Sequence, residues 1–265
     1  MAMAGRVNEG QVGAGTNGTS TDRALLDLAT SEADEAWLAR TRVFLQPIAA
    51  PSIMGLFGFA IATAMVGAWQ AGWYGNANTG TILWPFALFA GGLLQSIAAV
   101  VSFKARDGVA VAMHTIWGAF WLGWGLLMAL ASTHLIPMTT RFGTSNKGFA
   151  FWFIMLAAIT ISGTFAALAE SGLLTAVLGS LAAGASFTAA GYWIGSLTTT
   201  EIGGWLFVAS AALAYILATG MMLEGSTGRA IIPLGKWSKD ANVPGRQTTR
   251  PIERATGMPG VRAGQ

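Results

Sequence analysis

Few side chains in the long apolar runs of this sequence could bind a ligand or exchange a proton. His114 is the one histidine in these runs, none of which contains Asp, Glu, Lys or Arg. Because an imidazole titrates near neutral pH, His114 is a candidate partner for a proton or an anion. The alternative is a structural hydrogen bond to a neighbouring helix. Gln95 and Thr63 are candidate orienting donors, and ordinary packing explains each of them equally well.

Residue sets typical of catalysis or metal binding are not found in the runs. They contain no Ser-His-Asp combination, no His or Cys cluster with metal-ligand spacing and no Gly-rich phosphate loop. The chain has no cysteine, which excludes disulfides and thiol chemistry. We therefore expect no enzyme, no cofactor and no metal site.

Six apolar runs of 21 to 26 residues determine the fold class. They cover residues 51–74, 81–103, 108–133, 149–169, 172–194 and 202–222. A helix rises about 1.5 Å per residue, so about 20 apolar residues cross a hydrocarbon layer of about 30 Å. Alternation of period two is absent, which disfavours a barrel. The sequence thus predicts an all-α membrane protein with six transmembrane helices.

The composition divides the chain into three regions. Residues 1–48 form a tail whose start, rich in Gly, Ser, Thr and Asn, is predicted to be disordered. Within this tail, residues 22–45 carry apolar side chains at helical spacing, which predicts either a helix at the membrane interface or a partly helical linker. Residues 49–236 form the six-helix transmembrane domain, and residues 237–265 form a basic tail.

Lysine and arginine are distributed unevenly between the two sides of the membrane. With six spans, both termini and the connections at 104–107 and 170–171 lie on one side. That side carries thirteen Lys and Arg residues, whereas the opposite side carries two, Arg141 and Lys147. The positive-inside rule therefore places both termini in the cytoplasm of a multi-pass protein of the plasma membrane. The basic pI of about 9.6 reflects this topology, and we expect no nucleic-acid partner.

The odd-numbered runs cross the bilayer in the same direction, so equal counts from their starts give equal depths. Phe59 is the ninth residue of the first run, Trp117 the tenth of the third and Leu181 the tenth of the fifth. These bulky side chains share a plane about 13 to 15 Å from the helix starts. Residues at helical spacing from them fit either a shared cavity or interhelical packing: Gly55, Thr63, Gln70, His114, Trp121, Trp124, Gly184, Thr188 and Gly191. Gln70, near the far end of its run, also fits a headgroup contact.

Four short blocks carry a recognisable pattern. Residues 50–59 read APSIMGLFGF against N-P-x-P-L-G-L-x-G-F, and residues 89–95 read FAGGLLQ against F-Y-G-G-x-x-Q. Residues 117–121 read WGAFW against Y-G-x-F-W, and residues 228–235 read GRAIIPLG against G-R-x-x-L-P-[IL]-G. With these four blocks in this order, the chain resembles the acetate uptake transporter family over about residues 50–236. This family includes the bacterial succinate–acetate permeases.

The resemblance implies a homo-oligomer, a hexamer, in which each protomer has its own pore. The pore is built from three helix hairpins, with the odd-numbered helices lining the channel. The resemblance also implies a narrow constriction at Phe59, Trp117 and Leu181. Together with the helical spacing, it predicts further pore-lining and substrate-binding residues: Pro51, Gly55, Thr63, Gln95, His114, Trp121, Gly184 and Thr188.

Two departures from the family pattern bear on substrate range. Ala50 and Ile53 stand where the signature has Asn and its second Pro. The polar lip that would offer a side-chain amide to a carboxylate is therefore weakened. Trp117 replaces a Tyr, which exchanges a hydroxyl for a larger ring and an indole N–H.

The predicted function is a permease or channel for acetate and related short monocarboxylates, with succinate as a further candidate. A carboxylate passing Phe, Trp and Leu side chains would lose its hydration against apolar walls, whereas the protonated acid passes more easily. The carrier is therefore either acid-conducting or coupled to a proton. Two alternatives remain: a channel for small neutral solutes such as urea or ammonia, and a membrane scaffold or sensor that transports nothing.

The orientation can be tested with single cysteines, because the chain has none of its own. A cysteine at Ser20 or Thr248 is expected to resist a membrane-impermeant thiol reagent in intact cells, and a cysteine at Asn78 or Ser145 to react. Labelling is measured by gel shift, with permeabilised cells as the control. Reaction at both tails in intact cells would overturn the orientation.

Overall fold

The computed structural model describes residues 49–105, 107–133, 135 and 146–236. Six helices in this part of the chain are long and apolar enough to cross a membrane: α1 (Pro51–Gln70), α2 (Gly80–Ala105), α3 (Gly108–Ser132), α4 (Lys147–Ala167), α5 (Gly172–Ile194) and α6 (Leu197–Thr227). The predicted all-α membrane fold is confirmed. The tails at 1–48 and 237–265, with the helix or linker expected at 22–45, lie outside the described residues.

Polar side chains set the first residue of most of these helices. In four helices the preceding residue accepts a hydrogen bond from the backbone N–H three positions later, at 2.8 to 3.2 Å: Asp107 for α3, Asn146 for α4, Ser171 for α5 and Ser196 for α6. At the other end of α6, Gly228 adopts a φ of 70°, which glycine tolerates because it has no Cβ. These two ends explain why α6 is longer than its apolar run at 202–222.

The helices form a closed ring around the interior. Each helix packs against its neighbours in sequence, and α6 closes the ring against α1. The backbones of α1 and α6 meet at Gly67 and Gly204, where a Cβ on Gly204 would lie 2.5 Å from the amide nitrogen of Ala71 and 2.8 Å from the carbonyl oxygen of Gly67. Small residues thus permit the contact that closes the ring.

Helix α2 changes its hydrogen-bond spacing half-way along. It is α-helical over Gly80–Phe86, π-helical over Ala87–Leu94 and α-helical again over Gln95–Ala105. Pro85, which has no backbone N–H to donate, lies just before the π-helical segment. That segment carries Gly91, where a Cβ would lie 2.5 Å from Cγ of Trp121 on α3. The irregular part of α2 is therefore also the part that packs against the aromatic side chains of α3.

The chain after α6 turns back and caps α5. The carbonyl oxygen of Gly235 accepts a hydrogen bond of 2.9 Å from the backbone N–H of Gly172, the first residue of α5. Leu234 is buried, and Lys236 forms a 2.8 Å salt bridge with Glu224 of α6. This C-terminal segment supplies an acceptor to a helix end that would otherwise lack one.

Large apolar side chains cover the outside of the ring. Phe86, Phe103 and Phe165 are 57%, 67% and 68% exposed, respectively. Contiguous apolar surface of this kind is rare on proteins dissolved in water and is expected where lipid is the solvent.

The contact between α1 and α6 can be tested by adding one methyl group. Gly204→Ala is expected to lower thermal stability in detergent by about 1–3 kcal/mol, because the new Cβ meets backbone atoms that cannot rotate away. Gly123→Ala is the matched control, since a Cβ there has no neighbour within 4 Å and alanine favours the helix. Melting followed by circular dichroism measures both variants. Equal melting temperatures would contradict the close approach.

Candidate functional site: a row of cavities through the bundle

Three cavities follow one another through the interior of the ring. The lower cavity, of about 50 Å³, is bounded at one end by Asp107 and Glu170. The upper cavity, of about 230 Å³, is lined by Asn76 and Glu201. Between them, the middle cavity of about 20 Å³ shares Trp117 with the lower cavity. It shares four residues with the upper cavity: Gln70, Trp124, Phe149 and Tyr192.

The three residues predicted to form a constriction meet at the inner end of the lower cavity. Phe59, Trp117 and Leu181 all line that cavity and are 3%, 2% and 2% exposed. The rings of Phe59 and Trp117 lie edge to face, with centroids 6.2 Å apart and an interplanar angle of 78°. The structure thus places all three side chains in the wall of the lower cavity, and Trp117 also borders the middle cavity. That they narrow a pore stays a prediction.

The indole of Trp117 is held in place by a hydrogen bond and by other rings. Its Nε1–H donates to the hydroxyl of Thr160 at 3.1 Å, and that hydroxyl donates to the carbonyl of Leu156 at 2.6 Å. Edge contacts with Phe120 and Phe207 hold its two faces, at centroid distances of 5.4 and 6.2 Å. Trp117 is therefore an immobile wall, because moving it would leave its buried N–H without an acceptor.

His114 and Gln95 form the polar part of the lower cavity. The Nδ1 of His114 lies 3.4 Å from Oε1 of Gln95, whose Nε2 donates to the carbonyl of Gly91 at 2.8 Å. Both side chains are buried, at 5% and 1% exposure. The sequence left open whether His114 binds a ligand or a neighbouring helix. The hydrogen bond to α2 is present, and the ring also faces the cavity.

Asp107 lies at the mouth of the lower cavity. Its carboxylate caps α3 by accepting from the backbone N–H of Ala110 at 2.8 Å. Burial raises the pKa of the Asp107 carboxyl, and hydrogen bonds from the backbone N–H groups of Ala110 and Val109 oppose that rise. The carboxyl is thus both a structural cap and an ionisable group that faces the cavity.

Two unpaired polar atoms belong to the walls of the middle cavity. The hydroxyl of Thr63 and the Nε1–H of Trp121 are buried and have no hydrogen-bond partner within the described residues. Several other buried hydroxyls donate to the carbonyl four residues earlier in their own helix, as Ser102 and Thr160 do, and Ser210 donates to the carbonyl of Val177 on α5. Thr63 departs from this habit, which leaves its hydroxyl available to a molecule in the cavity.

Gln70 lies inside the ring, which is one of the two positions that the sequence left open for it, the other being a headgroup contact. It is 4% exposed, and its Nε2 donates to the hydroxyl of Thr188 and to the carbonyl of Thr200, both at 2.8 Å. This amide ties α1 to α5 and α6. The sequence left both positions open because the depth of Gln70 does not fix the rotation of α1 about its axis.

Residues 39–235 match the sequence profile of the GPR1/FUN34/yaaH family. The chain belongs to this family. The match covers all six helices and the four blocks identified in the sequence.

Relatives of this GPR1/FUN34/yaaH protein are named as transport proteins where their names state a role. The succinate-acetate/proton symporter SatP of Escherichia coli (strain K12) is 27% identical over 190 residues, which are 71% of this chain and 96% of SatP. Protein alcS of Aspergillus fumigatus is 25% identical over 207 residues, 71% of this chain and 75% of alcS. The solved structure of the bacterial acetate channel SatP shares the fold, with a TM-score of 0.62 at 24% identity over 71% of this chain and 99% of that one.

Half of the further predicted pore residues of this family member line the cavities. These are Thr63, Gln95, His114 and Trp121. Four others lie outside the three cavities: Pro51, Gly55, Gly184 and Thr188. Small size explains two of them, because Gly55 makes room for the ring of His114 and Gly184 makes room for Phe207. Thr188 is the partner of Gln70.

The even-numbered helices contribute more to the cavities than the family resemblance implied. Besides Gln95 of α2, the walls include Phe153 of α4 and three residues of α6: Phe207, Leu217 and Met221. Their apolar side chains resemble those that face lipid, so the sequence contains no signal for them. Asp107 does have one, since an Asp directly before an apolar run is typical of a helix N-cap.

The same substitution at two buried threonines separates paired from unpaired hydroxyls. Thr188→Val is expected to destabilise the protein by about 1–3 kcal/mol, because Gln70 loses one acceptor. Thr63→Val removes a hydroxyl that has no partner and is expected to leave the melting temperature nearly unchanged. Thermal denaturation in detergent compares the two variants. A loss at Thr63 as large as that at Thr188 would show that the Thr63 hydroxyl is paired.

Proposed function

We propose that this protein is a permease or channel for acetate and related short monocarboxylates, with succinate as a further candidate substrate. The observation that carries the proposal is the row of three cavities, interrupted where Phe59, Trp117 and Leu181 meet. A bundle built only to pack would have no need of three cavities in a row. Membership of a family whose relatives include a succinate-acetate/proton symporter supports the choice of substrate.

The distribution of charge favours passage of the acid together with its proton. The described walls of the middle cavity contain no Asp, Glu, Lys, Arg or His. An acetate anion there would lose its hydration without meeting a countercharge, which is costly at low dielectric. The neutral acid avoids this cost. Passage of the undissociated acid and symport of the anion with a proton give the same net flux.

The described conformation is closed to acetate. The middle cavity, at about 20 Å³, has room for about one water molecule by the same measure. Passage therefore requires side chains at the boundary to move. Trp117 is held by Thr160, whereas Phe59 and Leu181 make no side-chain hydrogen bond and can change rotamer at lower cost.

The orientation and assembly are part of the proposal. The excess of thirteen over two basic residues supports a plasma-membrane protein with both termini in the cytoplasm. In that orientation the lower cavity, with Asp107 and Glu170, opens inward, and the upper cavity, with Glu201, opens outward. The family resemblance supports a hexamer in the bilayer, with one pore per protomer.

The function is tested by measuring labelled acetate flux into proteoliposomes with and without a pH gradient, after subtracting the flux into protein-free vesicles. Flux that is accelerated by an inward proton gradient is expected. Urea or ammonia flux in place of acetate flux would establish the neutral-solute channel. If none of these solutes crosses the membrane, the remaining alternative is a membrane scaffold or sensor that transports nothing.

The boundary between the cavities predicts a change in selectivity. Leu181→Ala is expected to admit larger acids such as lactate or succinate with limited loss of acetate flux, because it removes about three carbons from the narrowest region. Leu83→Ala is the matched control, since Leu83 is buried but lines none of the three cavities. Each truncation costs about 2–5 kcal/mol of stability by analogy with soluble cores.

Substrate competition in proteoliposomes decides the result. New substrates for Leu181→Ala alone would support the pore assignment. A folded Leu181→Ala protein with unchanged selectivity would count against it, as would a selectivity change of the same kind in Leu83→Ala.

A further inference from the structure

The orientation of the Gln95 side-chain amide is fixed by its surroundings. One end of the amide lies 2.8 Å from the carbonyl oxygen of Gly91. Because a carbonyl oxygen only accepts hydrogen bonds, that end must be the NH₂ group. The amide oxygen of Gln95 therefore points the other way, towards α3.

This orientation determines which nitrogen of His114 carries the hydrogen. The Nδ1 atom of His114 lies 3.4 Å from the amide oxygen of Gln95, a long hydrogen bond. The oxygen can only accept, so Nδ1 must donate. A neutral imidazole has one N–H, and Nε2 is consequently left with a lone pair and no hydrogen.

The ring of His114 borders the lower cavity, and its unpaired Nε2 is not among the fully enclosed atoms. The ring of His114 lies over Gly55, where a Cβ would collide with Cε1, Nε2 and Nδ1, and it lines the cavity beside Phe59 and Trp117. Within the described residues, Nδ1 has Gln95 as its partner and Nε2 has none. His114 thus presents an acceptor, buried to 95% as a residue, directly below the narrowest part of the row.

The other ionisable groups of the lower cavity are also acceptors when charged. They are Asp107, at the start of α3, and Glu170, between α4 and α5. The described walls from α1, α2, α5 and α6 contribute no ionisable side chain, and Ser52 is the one hydroxyl among them. A carboxylate anion beside His114 would meet the lone pair of Nε2, and Asp107 carries the same sign of charge when it is ionised. A molecule with an O–H or N–H to donate would find a partner.

We propose that the lower cavity recognises the undissociated carboxylic acid and not its anion, with the acid O–H donating to Nε2 of His114. The inference rests on the proposed function and names the chemical form that the site selects. The methyl group of acetic acid would lie against Phe59 and Leu181, the apolar end of the same cavity. Gln95 then affects the binding of the acid without touching it, because its hydrogen bond with Nδ1 keeps Nε2 of His114 free of hydrogen.

Nitrogen NMR tests the tautomer without any transport. His114 and His134 are the two histidines, so ¹⁵N-histidine-labelled His134→Gln protein in lipid nanodiscs reports on His114 alone. At pH 7.5 we expect the hydrogen on Nδ1. Acetamide, a neutral analogue with N–H donors, is expected to shift the Nε2 resonance, and sodium acetate at the same pH is not. A hydrogen on Nε2, or a response to acetate alone, would overturn the proposal.

A variant of Gln95 supplies the matched control. Gln95→Leu removes the acceptor of Nδ1 and is expected to abolish the preference for one tautomer while His114 itself is retained. If the Nδ1–H form persists unchanged in Gln95→Leu, Gln95 does not set the tautomer and the argument fails.

Transport provides the second readout. In proteoliposomes at sub-saturating acetate, the protein-dependent rate is expected to follow the concentration of undissociated acid as pH is varied. His114→Phe is expected to lower that rate about threefold to tenfold, the loss of one hydrogen bond. A wild-type rate that follows the anion would refute the inference and leave the proposed function standing. Absence of wild-type acetate flux would refute the proposed function. Should His114→Phe fail to fold, the NMR result decides.

Discussion

The absence of water inside the bilayer governs the design of this protein, because each buried polar group must find its partner within the chain. Helix N-termini are capped by Asp107, Asn146, Ser171 and Ser196, and buried hydroxyls such as those of Ser102, Thr160 and Ser210 donate to backbone carbonyls. Against this background, an unpaired polar atom is informative. Three buried atoms lack a partner within the described residues: those of Thr63 and Trp121 belong to the middle cavity, and that of Thr219 belongs to none of the three. The unpaired Nε2 of His114 belongs to a residue of the lower cavity.

Rigidity and mobility are divided between the residues that separate the cavities. Trp117 is fixed by Thr160 and by flanking rings, so it keeps its position whatever occupies the path. Phe59 and Leu181 are held by packing alone, which a change of rotamer can relieve. Phe59 and Leu181 can therefore select substrates by size, and the polar contacts of the lower cavity can distinguish the acid from its anion.

The sequence alone predicts the number of spans and the equal depth of Phe59, Trp117 and Leu181, because both depend only on length and rise per residue. It does not predict which way each helix faces. In a soluble helix the polar side marks the surface, but here an apolar side chain suits the lipid and the protein interior equally well, and only the polar side chains indicate the inside. For this reason the contributions of Phe153 and Phe207 to the cavity walls could not be derived, whereas Gln70 fitted either the interior or a headgroup contact.

The closure of the ring by α1 and α6 has a consequence for biosynthesis. The first and last spans must meet at Gly67 and Gly204, and α5 receives its cap from Gly235, beyond the last span. Neither contact can form until the ribosome has delivered almost the whole membrane domain. The five earlier helices therefore cannot close the ring before α6 is made, and the first N–H of α5 has no acceptor from Gly235 until the chain beyond α6 follows.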